Sequence, residues 1–181
     1  MKPDRFGNRE EGYEGNTPVH FKESEIKVPP YLPDNPAVRS ELAQYYESVA
    51  RLDYGIGSLF QIIKSAGIWD NTVIIYVSDN GIAFPGAKTN TYEAALKLPC
   101  IVKPSKGIKP VTSDALVSWV DITPSILDFA GVLDATNEEI TKGWRINHDP
   151  YKTTQRGLQG RSFKEAVYIN TDHNRDTVFA A

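Results

Sequence analysis

Residues 72–81 read Thr72-Val73-Ile74-Ile75-Tyr76-Val77-Ser78-Asp79-Asn80-Gly81. The first six are β-branched or aromatic, and apolar side chains fall on both faces of the run. That pattern predicts a central strand in a parallel sheet covered by helices on each side. The strand gives way at once to Ser-Asp-Asn-Gly. In open α/β sheets, ligands bind beyond the carboxyl ends of the strands. One stretch of ten residues therefore predicts both an α/β fold and the place to look for chemistry.

Working upstream, Asn35 is a good helix N-cap and Pro36 suits the first helical position. Val38, Leu42, Tyr45, Val49, Leu52, Ile56, Leu59 and Ile63 then recur at steps of four and three. This spacing predicts one apolar stripe on a helix of about seven turns, with Gly67 as its stop. Residues 1–34 are rich in Gly, Pro, Asn and Glu and have no period. They read as an extended or irregular segment, suited to lie across a body outside this chain. The organisation expected is such a segment over 1–34, followed by a partial catalytic domain over 35–181.

Downstream, residues 82–97 read as a long loop holding Pro85, Gly86 and Lys88. Short strands are expected at Pro99–Lys103 and at Ala115–Val120. Thr123 is expected to cap a helix from Pro124 to Gly131, with Ile126, Leu127 and Phe129 turned to the core. Residues 132–160 are polar and irregular. Arg161–Ala181 offers one helical turn and two short strand-like pieces.

Composition narrows the class. The 181 residues suffice for one domain with a core, and the formal charge of −3 argues against a nucleic-acid partner. No apolar run is long enough to span a membrane. The single cysteine, Cys100, rules out an intrachain disulfide and a cysteine-built zinc cluster. Within Leu98-Pro99-Cys100-Ile101-Val102 it reads as a small core residue.

The chemistry centres on Asp79 and Asn80. A carboxylate and a carboxamide side by side offer hard oxygen donors, which suit calcium or magnesium. Taken alone, Asp-Asn-Gly is also an ordinary turn. Lys88, eight residues past Asn80, would place a cation beside a bound anion, or would simply be a solvated loop lysine. Calcium takes roughly 6–8 oxygen ligands, so these two residues leave a set incomplete. Asp34, Asp53, Asp70, Asp114, Asp121, Asp128 and Asp134 read as residues of turns, loops, helix starts and helix faces. His20, His148 and His173 read as exposed. No phosphate-cradling glycine loop is present.

The run Val77–Glu93 resembles the sulfatase family, with most likeness to its heparan N-sulfatase (sulfamidase) branch. Other pieces agree in order and spacing. They are Pro29-Pro30-Tyr31-Leu32-Pro33-Asp34 with Arg39, Tyr45-Tyr46, Arg51-Leu52-Asp53 with Gly55 and Gly57, and Asp70-Asn71-Thr72. Asp121–Asp128 and Gly160-Arg161-Ser162 follow. The resemblance implies an alkaline-phosphatase-like α/β fold with a central, mostly parallel sheet flanked by helices. It implies a sulfuric ester or sulfamate hydrolase acting on sulfated sugars, with Asp79 and Asn80 as ligands of a divalent metal, usually calcium. Lys88 would contact the sulfate. Exported, periplasmic or lysosomal placement is implied as well.

The sequence departs from the family at the nucleophile. Members make a formylglycine from a Cys/Ser-x-Pro-x-Arg motif, and no proline here has Cys or Ser two residues before it. No catalytic residue is therefore assigned. The chain reads as an internal piece that works with the remainder of the sulfatase domain and is inactive alone. The alternative is a non-catalytic glycan-binding or assembly module. A phosphatase relative is disfavoured, because such enzymes commonly carry His where Asn80 stands.

Overall fold

The computed structural model describes residues 5–105, 107–133 and 160–169. The chain forms two compact units, Met1–Thr72 with Val77–Pro99, and Val73–Tyr76 with Cys100–Ala181.

The first unit is organised by helix α1, Pro36–Ser65. Its start is fixed by local chemistry. The Asn35 side chain accepts a hydrogen bond from Val38 N at 3.0 Å, and Pro36 sits where a missing N–H costs nothing. Its end is equally local. Gly67 takes φ +72°, a left-handed conformation that glycine adopts without strain, and donates to the Lys64 carbonyl at 2.9 Å. Thirty residues make about eight turns.

The apolar stripe is used unevenly. Leu42 is fully buried, in a core with Ile26, Leu32, Ala43 and Phe84, flanked by Phe6, Phe21, Val28, Val38, Tyr45 and Tyr46. Farther along, Val49, Leu52 and Leu59 are exposed, as is Ile62 beside the stripe, while Ile56 and Ile63 are half-buried. The first half of α1 is thus a core helix, and the second half keeps part of its apolar face bare.

Residues 5–34 hold no long element, only single 3-10 turns at Arg5–Gly7 and Glu23–Glu25. They lie along α1 of this same chain. Phe6 meets Tyr45 edge-on at 5.7 Å, and Phe21 meets Tyr46 in the same way. Arg39 on α1 binds Asp34 through two parallel hydrogen bonds of 2.5 and 2.7 Å. It also donates to the carbonyls of Glu23 and Ile26, both at 3.0 Å. A planar guanidinium can serve all four at once. The Arg39 hydrogen bonds hold the Asp34 carboxyl below its usual pKa, against a smaller opposing push from desolvation.

In the second unit, strand β1 (Ile74–Val77) pairs with β2 (Cys100–Lys103) in a two-stranded sheet. β1 is shorter than its β-branched run. Its residues are half-buried, with Val77 exposed, and not covered on both faces as expected. Cys100 is a second correction, since it is exposed at the head of β2. Partial desolvation still pushes its thiol pKa up, the wrong direction for a nucleophile.

No strand forms at Ala115–Val120. The chain instead turns through a 3-10 segment, Trp119–Asp121, into helix α3, Ile122–Phe129. Here α2 denotes the short helix Glu93–Leu96 of the first unit. The cause is Asp121, which is fully buried. Its carboxylate accepts from Ser118 N at 2.8 Å and from Arg161 N at 2.7 Å. A strand cannot also bend to deliver those bonds. Helix α3 starts at Ile122 instead of after a Thr123 cap, and buries Pro124 and Ser125. Ile126 is exposed, whereas Leu127 and Phe129 are half-buried.

Ser125 completes the pin. Its hydroxyl donates to the Asp121 carbonyl at 2.6 Å and accepts from Phe163 N at 3.0 Å. Lys164, at the start of helix α4 (Lys164–Ile169), binds the Asp128 carboxylate at 3.0 Å. Burial pushes the Asp128 carboxyl up, but hydrogen bonds from Ser162 and Lys164 and the Lys164 charge together leave it below the usual value. The irregular 132–160 stretch, His148, His173 and the strand-like pieces of the last residues lie outside the described residues, apart from Val132, Leu133 and Gly160.

Two outcomes are expected. Leu42→Ala should cost about 2–5 kcal/mol by urea denaturation, because it opens a cavity in a closed core. Leu59→Ala, at a half-exposed position, should stay within about 0.5 kcal/mol. Equal costs would contradict the uneven use of the stripe.

The second outcome concerns acid. Asp34 and Asp128 have folded pKa values below their unfolded ones, so the unfolded chain binds more protons near the carboxylate range. Their contribution is complete above the ordinary Asp pKa of about 3.9 and is lost as pH falls through the depressed values. The urea midpoint should fall below about pH 4. The Asp34→Asn, Asp128→Asn double variant should show a shallower acid slope than the parent. An unchanged slope would contradict both assignments.

Candidate functional site

Asp79 and Asn80 follow β1 after one residue, Ser78. The turn is held by short-range bonds. Asn80 N donates to Asp79 Oδ1 at 3.0 Å, and Ser78 Oγ donates to the Asn80 carbonyl at 2.8 Å. Asp79 is exposed and Asn80 half-buried. The two are therefore brought together with side-chain oxygens near the surface.

Gly81 explains why the chain can leave this turn. A Cβ there would stand 2.6 Å from the Ala94 carbonyl oxygen and 3.0 Å from Ala95 Cα. Only glycine lets the site loop pass so close to α2. The loop then folds on itself. Phe84 N and Lys88 N both donate to the Ile82 carbonyl, at 2.7 and 3.1 Å, and Ala87 N donates to the Phe84 carbonyl at 3.2 Å. Ala87 is fully buried.

Phe84 ties this loop to α1. Its ring stacks on Phe6 at 5.9 Å with a 15° interplanar angle and meets Tyr45 edge-on at 6.0 Å. Such aromatic contacts add about 0.5–1.5 kcal/mol each beyond burial. Lys88 leaves the loop at its closure. Its backbone is pinned at Ile82, its carbonyl accepts from the Thr89 hydroxyl at 2.6 Å, and its side chain is exposed. All three expected site residues thus sit on one loop, stiffened by Gly81, Ala87 and Phe84.

The donor set fits a hard divalent cation in kind, with a carboxylate and a carboxamide oxygen adjacent. It does not suffice in number. Among the described residues, no group of three or more His, Cys, Asp or Glu could hold a metal ion. His20 is exposed, as expected, but it binds Glu47 at 3.0 Å. Sequence reasoning missed Asp121 as a buried hub and Arg39 and Arg51 as anchors of the first segment. Arg51 donates to Asn8 Oδ1 at 2.6 Å and to the Phe6 carbonyl at 3.1 Å.

The sulfatase family profile matches residues 4–132. The chain is 37% identical over 135 residues to human N-sulphoglucosamine sulphohydrolase, covering 71% of this chain and 27% of that protein. It is 30% identical to an ulvan-active sulfatase of Formosa agariphila, covering 65% of this chain and 20% of the other. It is 38% identical to an N-acetylglucosamine-6-O-sulfatase of Bacteroides thetaiotaomicron, over half of this chain and 17% of that one. The chain belongs to the sulfatase family. It spans about a quarter or less of the length of these curated relatives. The relatives are hydrolases named for sulfated substrates, and sulfatases are generally metal-dependent. Among the described residues, no helix is long and apolar enough to cross a membrane.

Gly81→Ala should cost about 1–3 kcal/mol, because the neighbour it meets is backbone. The Lys88 amide should then lose hydrogen-exchange protection. Gly55→Ala, in α1 with open space around it, should be neutral or stabilise by roughly 0.5–1 kcal/mol. Retained protection at Lys88 in the Gly81 variant would show that the close approach does not set the loop.

Proposed function

We propose that this chain is part of a sulfohydrolase acting on sulfated sugars, with Asp79 and Asn80 as metal ligands and Lys88 as the cation facing the sulfate. The carrying observation is the loop itself. It is held by the Gly81 approach to α2 and by Phe84 on Phe6 and Tyr45, so its ligands need little ordering on binding. Family membership supplies the reaction class.

Hard oxygen donors suit calcium or magnesium, and the resemblance to the sulfatase family favours calcium. When bound, it would stabilise negative charge on the transferring group. Asp79 and Asn80 would hold one side of it. Lys88 would bind and orient the sulfate oxygens as a point charge on a pinned backbone. The remaining ligands and the formylglycine nucleophile would come from the rest of the domain. On this reading β1 is one strand of a larger, mostly parallel sheet of the alkaline-phosphatase-like kind. The bare apolar residues Leu52, Leu59 and Ile62 of α1 would be covered by that same remainder.

Calorimetry on this chain tests the reading. Calcium should bind weakly, with a Kd of about 10⁻⁴ M or higher, as expected of so few ligands. Asp79→Ala should remove that binding. Lys88→Ala should keep it but weaken the calcium-dependent binding of N-sulfoglucosamine. Unaltered binding in both variants would sink the assignment. Hydrolysis of an aryl sulfate by the chain alone should be absent, and clear turnover would overturn the statement that the nucleophile lies elsewhere.

A further inference from the structure

A cleft of about 280 Å³ opens in the first unit, between the loop Asn8–His20 and the middle of α1. Nothing in the sulfatase half-site uses it. Its volume is close to the lower end of small-molecule pockets, roughly 300 Å³, enough for one ring-sized group.

The walls are chemically mixed. Tyr13 gathers two cations, for the guanidinium carbons of Arg9 and Arg51 stand 4.9 and 4.8 Å from its ring centroid. The Tyr13 hydroxyl donates to the Gly7 carbonyl, which fixes the ring. Among the described residues, neither guanidinium has a carboxylate within ion-pair distance. Arg51 spends its donors on Asn8, Phe6 and Ser48. Arg9 makes no such bonds among the described residues and remains the cation available to a guest.

Two like charges on one ring repel each other, and an anion beside them would relieve that repulsion. A bare anion, however, would also meet Asp53 and Glu47 on the same wall. Both carboxylates would repel it, and the hydrogen bond between Glu47 and His20 does not remove the Glu47 charge. A guest that carries an acid group at one end and hydroxyls at the other suits both. Its acid group would take Arg9, and its hydroxyls would donate to Asp53. Tyr54, half-exposed at the rim, offers a ring to the apolar face of a sugar.

We propose that this cleft is a carbohydrate subsite for a sugar residue bearing a sulfate or carboxylate, separate from the half-site at Asp79, Asn80 and Lys88. The assignment of an acidic glycan rests in part on the sulfohydrolase reading. The cleft chemistry stands without it. In the bound state Arg9 holds the acid group by a charge-assisted bond, and Arg51 keeps the loop in place.

The test is a titration of this chain in EDTA, which removes any metal from the proposed half-site. The probes are a heparin-derived sulfated tetrasaccharide, its desulfated, N-acetylated counterpart and inorganic sulfate. The sulfated tetrasaccharide should bind more tightly than either of the others. Arg9→Gln and Tyr54→Ala should each weaken it about tenfold, while Lys22→Ala, at an exposed lysine outside the cleft, should leave it unchanged. Both altered side chains are surface-placed, and an unchanged melting temperature checks that each variant is folded. Equal binding of the desulfated sugar, or wild-type affinity in both variants, would overturn the proposal. A loss in Lys88→Ala alone would also overturn it, because binding would then belong to the half-site. If Asp79 and Lys88 fail their own test but Arg9 and Tyr54 pass this one, the subsite stands and the sulfohydrolase reading falls.

Discussion

Leu42 sits at the point where two loops meet one helix. It shares one buried cluster with Ile26 and Leu32 of the irregular first segment and with Phe84 of the site loop. Phe6 and Tyr45 complete the contact by touching Phe84 and each other. Each buried side chain of this size is worth about 1.5–3 kcal/mol. That gain is one part of what opposes the backbone entropy lost by two segments that form almost no regular structure. Local hydrogen bonds such as Lys88 N to the Ile82 carbonyl then set the shape, but they do so on a loop already placed by packing.

Arg39 and Arg51 have matching tasks on the same helix. Arg39 holds the end of the first segment through Asp34 and two carbonyls, and Arg51 holds its beginning through Asn8 and Phe6. Between these two anchors, residues 8–20 form one wall of the cleft lined by Tyr13, His20 and Tyr54. The same device thus closes the core near Leu42 and opens a cleft a few turns farther along α1.

What could be read from the sequence follows the range of the interactions concerned. The limits of α1 were legible because Asn35, Pro36 and Gly67 act within a few residues. The Asp79-Asn80-Gly81 turn was legible for the same reason. The strand expected at Ala115–Val120 was not, because the bend depends on Asp121 accepting from Arg161, forty residues away. Gly81 looked like a turn glycine, yet its need comes from Ala94 and Ala95, which no local rule names. The cleft gave no signal at all, since its two walls are a periodic helix face and an aperiodic loop. Arg9 and Tyr13 become neighbours of Arg51 only after the loop has folded back.

The uneven stripe of α1 bears on how such a half-site can act. A loop fixed at Phe84 keeps Asp79 and Asn80 near each other whether or not the rest of α1 is covered. On the proposed reading, the geometry of these two donors is therefore set locally, while the number of ligands is not. For a cation that takes roughly 6–8 oxygens, two fixed donors lower the ordering cost but cannot supply the affinity. On the proposed reading, the residues that would raise it come from the rest of the domain, and that remainder either covers Leu52 and Leu59 in the same association or does not. In the first case, closing the apolar face and completing the metal shell are one event, and metal affinity should rise with the same association that removes the exposed face. In the second, the two would vary independently. The shared helix favours the first, because the side chains that hold the site loop and those left bare belong to one continuous stripe.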